Sequence, residues 1–103
     1  MREMLEEDFQ RLLSDFDFGA VRKVMCALNW KWHFPNSSSF NERIPTIPEM
    51  KIMVSSLFDS IINQGWQNAS SGGFTLSNID GCLWLRFIAV ESEIIPETSG
   101  FGE

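Results

Sequence analysis

The apolar positions at the start of the chain repeat with a helical period. Leu5, Phe9, Leu12, Leu13 and Phe16 follow the i, i+4, i+7, i+8, i+11 spacing of one helix face. Glu3, Glu6, Glu7 and Asp8 stand where the positive end of a helix dipole favours carboxylates. In Ser14-Asp15-Phe16-Asp17 two Asp can cap a new helix, which would carry Phe18, Val21, Val24, Met25 and Leu28 on one side. One kinked helix and two separate helices both fit this pattern.

The period then changes to two. Trp30-Lys31-Trp32-His33-Phe34 alternates aromatic and polar residues, as a half-buried strand does, and Pro35 ends it. Residues 36–41 read as a Ser-rich loop. A helical period returns over 47–64. Thr46-Ile47-Pro48-Glu49 is a capping box with Pro in the first turn, and Met50, Met53, Val54, Leu57, Phe58, Ile61 and Ile62 form a continuous apolar stripe. Gly65 closes the helix as a left-handed cap. Residues 67–73 read as a polar loop, with Gly72-Gly73 allowing close backbone approach at the entry to the next strand.

Two strands, 74–79 and 82–90, flank Asp80-Gly81, a two-residue turn signal that sets the register. Phe74 then faces Phe87, Leu76 faces Leu85 and Asn78 faces Leu83. On the other side Thr75 meets Arg86, Ser77 meets Trp84 and Ile79 meets Cys82. The first face is apolar and must lie on the long helix; the second is mixed and at least partly wet. The expected architecture is α+β, in the order α(α)-β-α-β-β. Its small antiparallel or mixed sheet is packed on one face by helix 47–64. Residues 1–90 form a single domain and 91–103 a loose acidic tail.

Charge sharpens this picture. The chain carries −6 overall, but residues 1–18 hold six acids and two Arg, and 91–103 hold four acids and no base. Residues 19–90 have six bases against four acids, so the body is nearly neutral. A duplex-DNA binder shows a basic stripe that releases counterions, and none is visible, which argues against nucleic acid as partner. No apolar run approaches the roughly 18 residues of a membrane span, and the acids at 3–8 interrupt any leader-like segment, so a cytoplasmic protein is expected. Cys26 and Cys82 each sit inside an apolar pattern and read as packing residues rather than a disulfide.

Candidate chemistry is sparse. His33 lies between two strand aromatics with no nucleophile placed near it, so it reads as a solvent-facing strand residue and not as a general base. Cys26, Cys82 and His33 are too scattered for the three or four protein ligands that zinc takes. No catalytic residue, metal or cofactor is expected. The four Trp are more informative. Strand tryptophans usually pack, but Trp84 has polar neighbours and stands two residues from Arg86, the residue types that anchor protein interfaces. The expected contact residues are Trp84, Arg86, Trp30, Trp32, Thr75 and Ser77.

Four segments, taken in order, carry a resemblance: Asn29-Trp30-Lys31-Trp32, Arg43-Ile44-Pro45-Thr46, Ser71-Gly72-Gly73-Phe74 and Leu83-Trp84-Leu85-Arg86-Phe87. Over about residues 29–90 the chain resembles a group of small uncharacterised phage and prophage α+β proteins. These share Asn-Trp-x-Trp, a Pro-Thr helix start, a Gly-Gly-Phe strand entry and a Leu-x-Leu-x-Phe strand. The resemblance implies a mobile-element origin and supplies no catalytic residues. By analogy it implies a non-enzymatic protein-binding module that blocks a host protein, including one of a defence system. Two other readings stay open. One is a homo-oligomeric structural or accessory protein whose mixed face is closed by its own copy. The other is a nucleic-acid-linked role, by stacking single strands or by acidic mimicry.

Overall fold

The computed structural model describes residues 2–35 and 40–87. The expected tail 91–103, the end of the last predicted strand at 88–90 and most of the Ser-rich loop lie outside these residues. The N-terminal segment forms two helices, α1 (Arg2–Asp15) and α2 (Phe18–Leu28). Asp17 separates them: its side chain accepts the N–H of Ala20 at 3.0 Å and starts the second helix.

Helix α2 ends in a Schellman turn. Asn29 takes the left-handed conformation (φ 54°), its N–H reaches the Cys26 carbonyl, and the Trp30 N–H reaches that of Met25 at 2.8 Å. This turn consumes the backbone donor of Trp30, so strand β1 (Trp32–Pro35) begins two residues later than the aromatic alternation suggests. Leu28, expected on the buried stripe, is 50% exposed at the last position of α2.

Strand β1 pairs antiparallel with β2 (Phe40–Arg43), whose first two residues were expected in the Ser-rich loop. Helix α3 (Ile47–Gln64) follows. Its capping box is complete: the Glu49 N–H donates to Thr46 Oγ1 at 3.3 Å, and the Thr46 N–H donates to Glu49 Oε1 at 2.9 Å. Gly65 closes it at φ 72°.

The segment expected as a polar loop contains β3 (Asn68–Ser71), which forms a hairpin with β4 (Phe74–Ile79) through a Gly72-Gly73 turn. Only Ala69 of β3 turns inward, so its sequence carries no alternation to read. Strands β4 and β5 (Cys82–Phe87) pair in the register set by Asp80-Gly81, from Phe74 opposite Phe87 to Ile79 opposite Cys82. All pairings are antiparallel, and they make two sheets, β1-β2 and β3-β4-β5.

Helix α3 lies across the inner face of the three-stranded sheet. Met50, Val54, Leu57, Phe58 and Ile61 pack with Ala69, Phe74, Leu76, Leu83, Leu85 and Phe87 in one buried core. Phe18, Val21 and Met25 of α2 join it, and Phe9 of α1 stacks on Phe58 with ring centroids 4.3 Å apart. Helix α1 also borders the open edge of β5. In a two-residue hairpin the closing pair exchanges both hydrogen bonds, so the Leu83 N–H points away from β4. Asp8 Oδ2 accepts it at 3.3 Å, and the helix thereby covers an edge that would otherwise be free to pair. No helix among the described residues is long and apolar enough to cross a membrane.

Candidate functional site

The hairpin register places four of the expected contact residues together. Thr75, Ser77, Trp84 and Arg86 alternate with the core residues of β4 and β5, so they share the outer face, and all four are partly exposed. Thr75 is tied laterally by a 2.9 Å hydrogen bond between its Oγ1 and Ser70 Oγ on β3. What the sequence did not show is the neighbour at the edge of this face. Asp8, Arg11 and Leu12 of α1 and Phe16 just beyond it meet Leu83 and Trp84 around a pocket of about 360 Å³. Arg11 pairs with Asp8 at 2.9 Å, and Asp8 also holds Leu83, so this carboxylate links the helix to the strand. The signal that could have found the pocket was Leu12 and Phe16, at the end of the N-terminal apolar stripe, which pack on the core but stay partly exposed at its margin.

Trp30 and Trp32 fall elsewhere. Trp30 is 36% exposed and meets Phe87 edge-on, centroids 5.8 Å apart. The Trp32 Nε1–H donates to the Gly72 carbonyl at 3.0 Å, across 40 residues of sequence. A Cβ on Gly72 would come within 2.7 Å of Trp32 Cζ2, so the indole lies against bare backbone, and the residue's φ of +64° favours glycine as well. A pocket of about 430 Å³ opens here, lined by Trp30, Lys31, Trp32, His33, Met53 and Gly72 among others. Among the described residues it shares no lining with the pocket beside Trp84. The six expected contact residues therefore divide into two groups, four on the outer face and two at the end of the sheet.

The two-stranded sheet is clamped to the start of α3 by charge. Arg43 Nη1 and Nη2 donate to the two carboxylate oxygens of Glu49 at 2.8 and 2.6 Å, and the guanidinium also sits 4.0 Å from the centroid of the Phe34 ring. The Arg43 hydrogen bonds, followed by that from the Thr46 backbone, pull the Glu49 carboxyl down to about 2. A third pocket, of about 370 Å³, lies beside this clamp between β1 and α3, with Trp32, Phe34, Ile52 and Met53 in its wall. Met53 was expected in the core stripe, but it lines both pockets that flank Trp32.

Cys26 and Cys82 are both exposed and unpaired, contrary to the packing role that their apolar neighbours suggested. Cys26 is one position off the buried 18, 21, 25 stripe, and Cys82 opens β5 opposite the exposed Ile79. Among the described residues no three His, Cys, Asp or Glu side chains gather as a metal site. His33 stands opposite Glu42 in the β1–β2 register. A search of family models, curated proteins and solved structures finds no match to the chain.

Proposed function

We propose that this chain is a non-enzymatic protein-binding module that engages its partner through the outer face of β4 and β5. The observation that carries this reading is the placement of Trp84. The ring is half-buried on a face it shares with Thr75, Ser77 and Arg86, beside an apolar-floored pocket between α1 and β5. A large ring at the margin of a preformed hollow, with an Arg two residues along the same strand, is the arrangement of a binding hot spot. Such a ring buries area at small entropic cost, and the neighbouring hydroxyls supply a polar rim. The resemblance to phage and prophage proteins supports a host protein, including one of a defence system, as the partner, with the chain acting as its inhibitor.

The test is affinity capture from nuclease-treated bacterial lysate with wild type and a Trp84→Ala/Arg86→Ala variant. A host protein retained by wild type alone, with both forms equally folded by circular dichroism, is the expected result. If wild type retains nothing and light scattering shows a stable dimer, the face is closed by a second copy and the inhibitor reading falls. Unfolding of the variant would place Trp84 in the structural core, which also removes it as a contact residue.

A further inference from the structure

We propose that the pocket formed by Trp30, Trp32 and the Gly72-Gly73 turn binds a mononucleotide, with the base stacked on indole and the phosphate held by Lys31. The site is separate from the face by Trp84 and stands or falls independently of the protein-binding reading. Its volume of about 430 Å³ lies in the range of small-ligand pockets. Trp30, 36% exposed, is the stacking surface, and Trp32, held by its hydrogen bond to Gly72, forms a fixed wall beside it that loses little rotamer freedom when a base arrives.

Charge points the same way. The chain carries −6, yet among the described residues lining this pocket there is no Asp or Glu, and Lys31 is one of them. His33 faces Glu42 across the ladder, so Lys31 is the cation that an anionic group would meet. The backbone adds donors. A two-residue turn closing on Ser71 and Phe74 leaves the Gly72 and Gly73 N–H groups outside the ladder at the wall of the pocket, while the Trp32 and Phe87 rings fill the side of each glycine where a Cβ would stand. A strand of nucleic acid would need a run of cations along its phosphates, whereas the adjoining pocket along β1 has Glu49 in its wall. One base with one phosphate fits what is present.

The four ribonucleoside 5′-monophosphates, adenosine, inorganic phosphate and a deoxythymidine decamer would be titrated into isotope-labelled full chain and followed by NMR. The expected result is a saturable shift of the Trp30 and Trp32 indole N–H signals and the Gly72 and Gly73 amides with at least one monophosphate. Lys31→Glu should weaken it about tenfold at unchanged melting temperature, and adenosine should bind more weakly than its monophosphate by a similar factor. Trp30→Ala should abolish the shift; if that variant does not fold, Lys31→Glu on its exposed site decides. The proposal is overturned if no shift saturates by about 10 mM ligand, if Lys31→Glu binds as well as wild type, or if the shifts centre on Trp84. It is also overturned if the decamer alone binds, with steep salt dependence, since the site would then belong to a strand.

Discussion

Trp32 and Trp84 are both strand tryptophans, Trp32 between Lys31 and His33 and Trp84 between Leu83 and Leu85. Their settings differ. Trp32 is fixed by its Nε1–H on the Gly72 carbonyl and by a glycine surface that admits nothing larger, and it joins the β1-β2 hairpin to the β3-β4 turn. Trp84 stands on an outer sheet face flanked on one side by a helix and shared with Thr75, Ser77, Arg86, Ile79 and Cys82. A ring that bridges two hairpins through a backbone acceptor is a structural joint, whereas a partly exposed ring at the rim of a hollow is, on the proposed reading, a contact surface. Aromatic identity and strand position do not separate the two settings; the tertiary surroundings of each ring do.

The largest effect that could break this contrast comes from the glycines. Gly72→Ala should destabilise by about 2–4 kcal/mol in urea denaturation, combining a positive-φ penalty with a Cβ that collides with Trp32. Gly81→Ala has the same sign of φ but open space around the new methyl, and about 1 kcal/mol is expected. Equal losses at the two turns would mean that Trp32 gives way easily and is no joint. The tryptophans come next: Trp32→Ala should lose about 2–3 kcal/mol and Trp84→Ala about 1 kcal/mol in the same assay. A reversed order would exchange their roles.

Asp8→Ala probes the flank of Trp84. It removes the acceptor for the Leu83 N–H and the partner of Arg11, so a loss of about 1 kcal/mol and faster amide exchange at Leu83 are expected. The smallest effect concerns the clamp on the Trp32 side. The folded chain holds the Glu49 carboxyl at about 2, below its ordinary 4.5. Its contribution to stability is therefore full above pH about 4.5 and lost as pH falls through the folded value near 2. Wild type should exceed Glu49→Gln in melting temperature at neutral pH, with the gap closing below pH 4.5; because the pair is partly exposed, the gap is modest and shrinks in salt. A gap independent of pH would show that Arg43 holds the hairpin through Phe34 instead.

Much of the frame was legible because local chemistry prescribes it. Thr46-Ile47-Pro48-Glu49 and Gly65 bound α3 as read, Asp17 starts α2, and Asp80-Gly81 sets every pair of the β4–β5 hairpin. In each case the signal lies within a few residues of its effect: a side chain meeting a nearby N–H, or a turn that only certain residues can enter. The elements that were not legible draw their reason from far away. Strand β3 has one buried residue and pairs because β4 is there, and β2 is defined by its ladder to β1. The site divides by the same rule. Register alone puts Thr75, Ser77, Trp84 and Arg86 on one face. The docking of α1 against β5 and the Trp32 bond to Gly72 join residues 75 and 40 positions apart. Contacts across such distances are chosen by packing the whole core, and no window of sequence contains them.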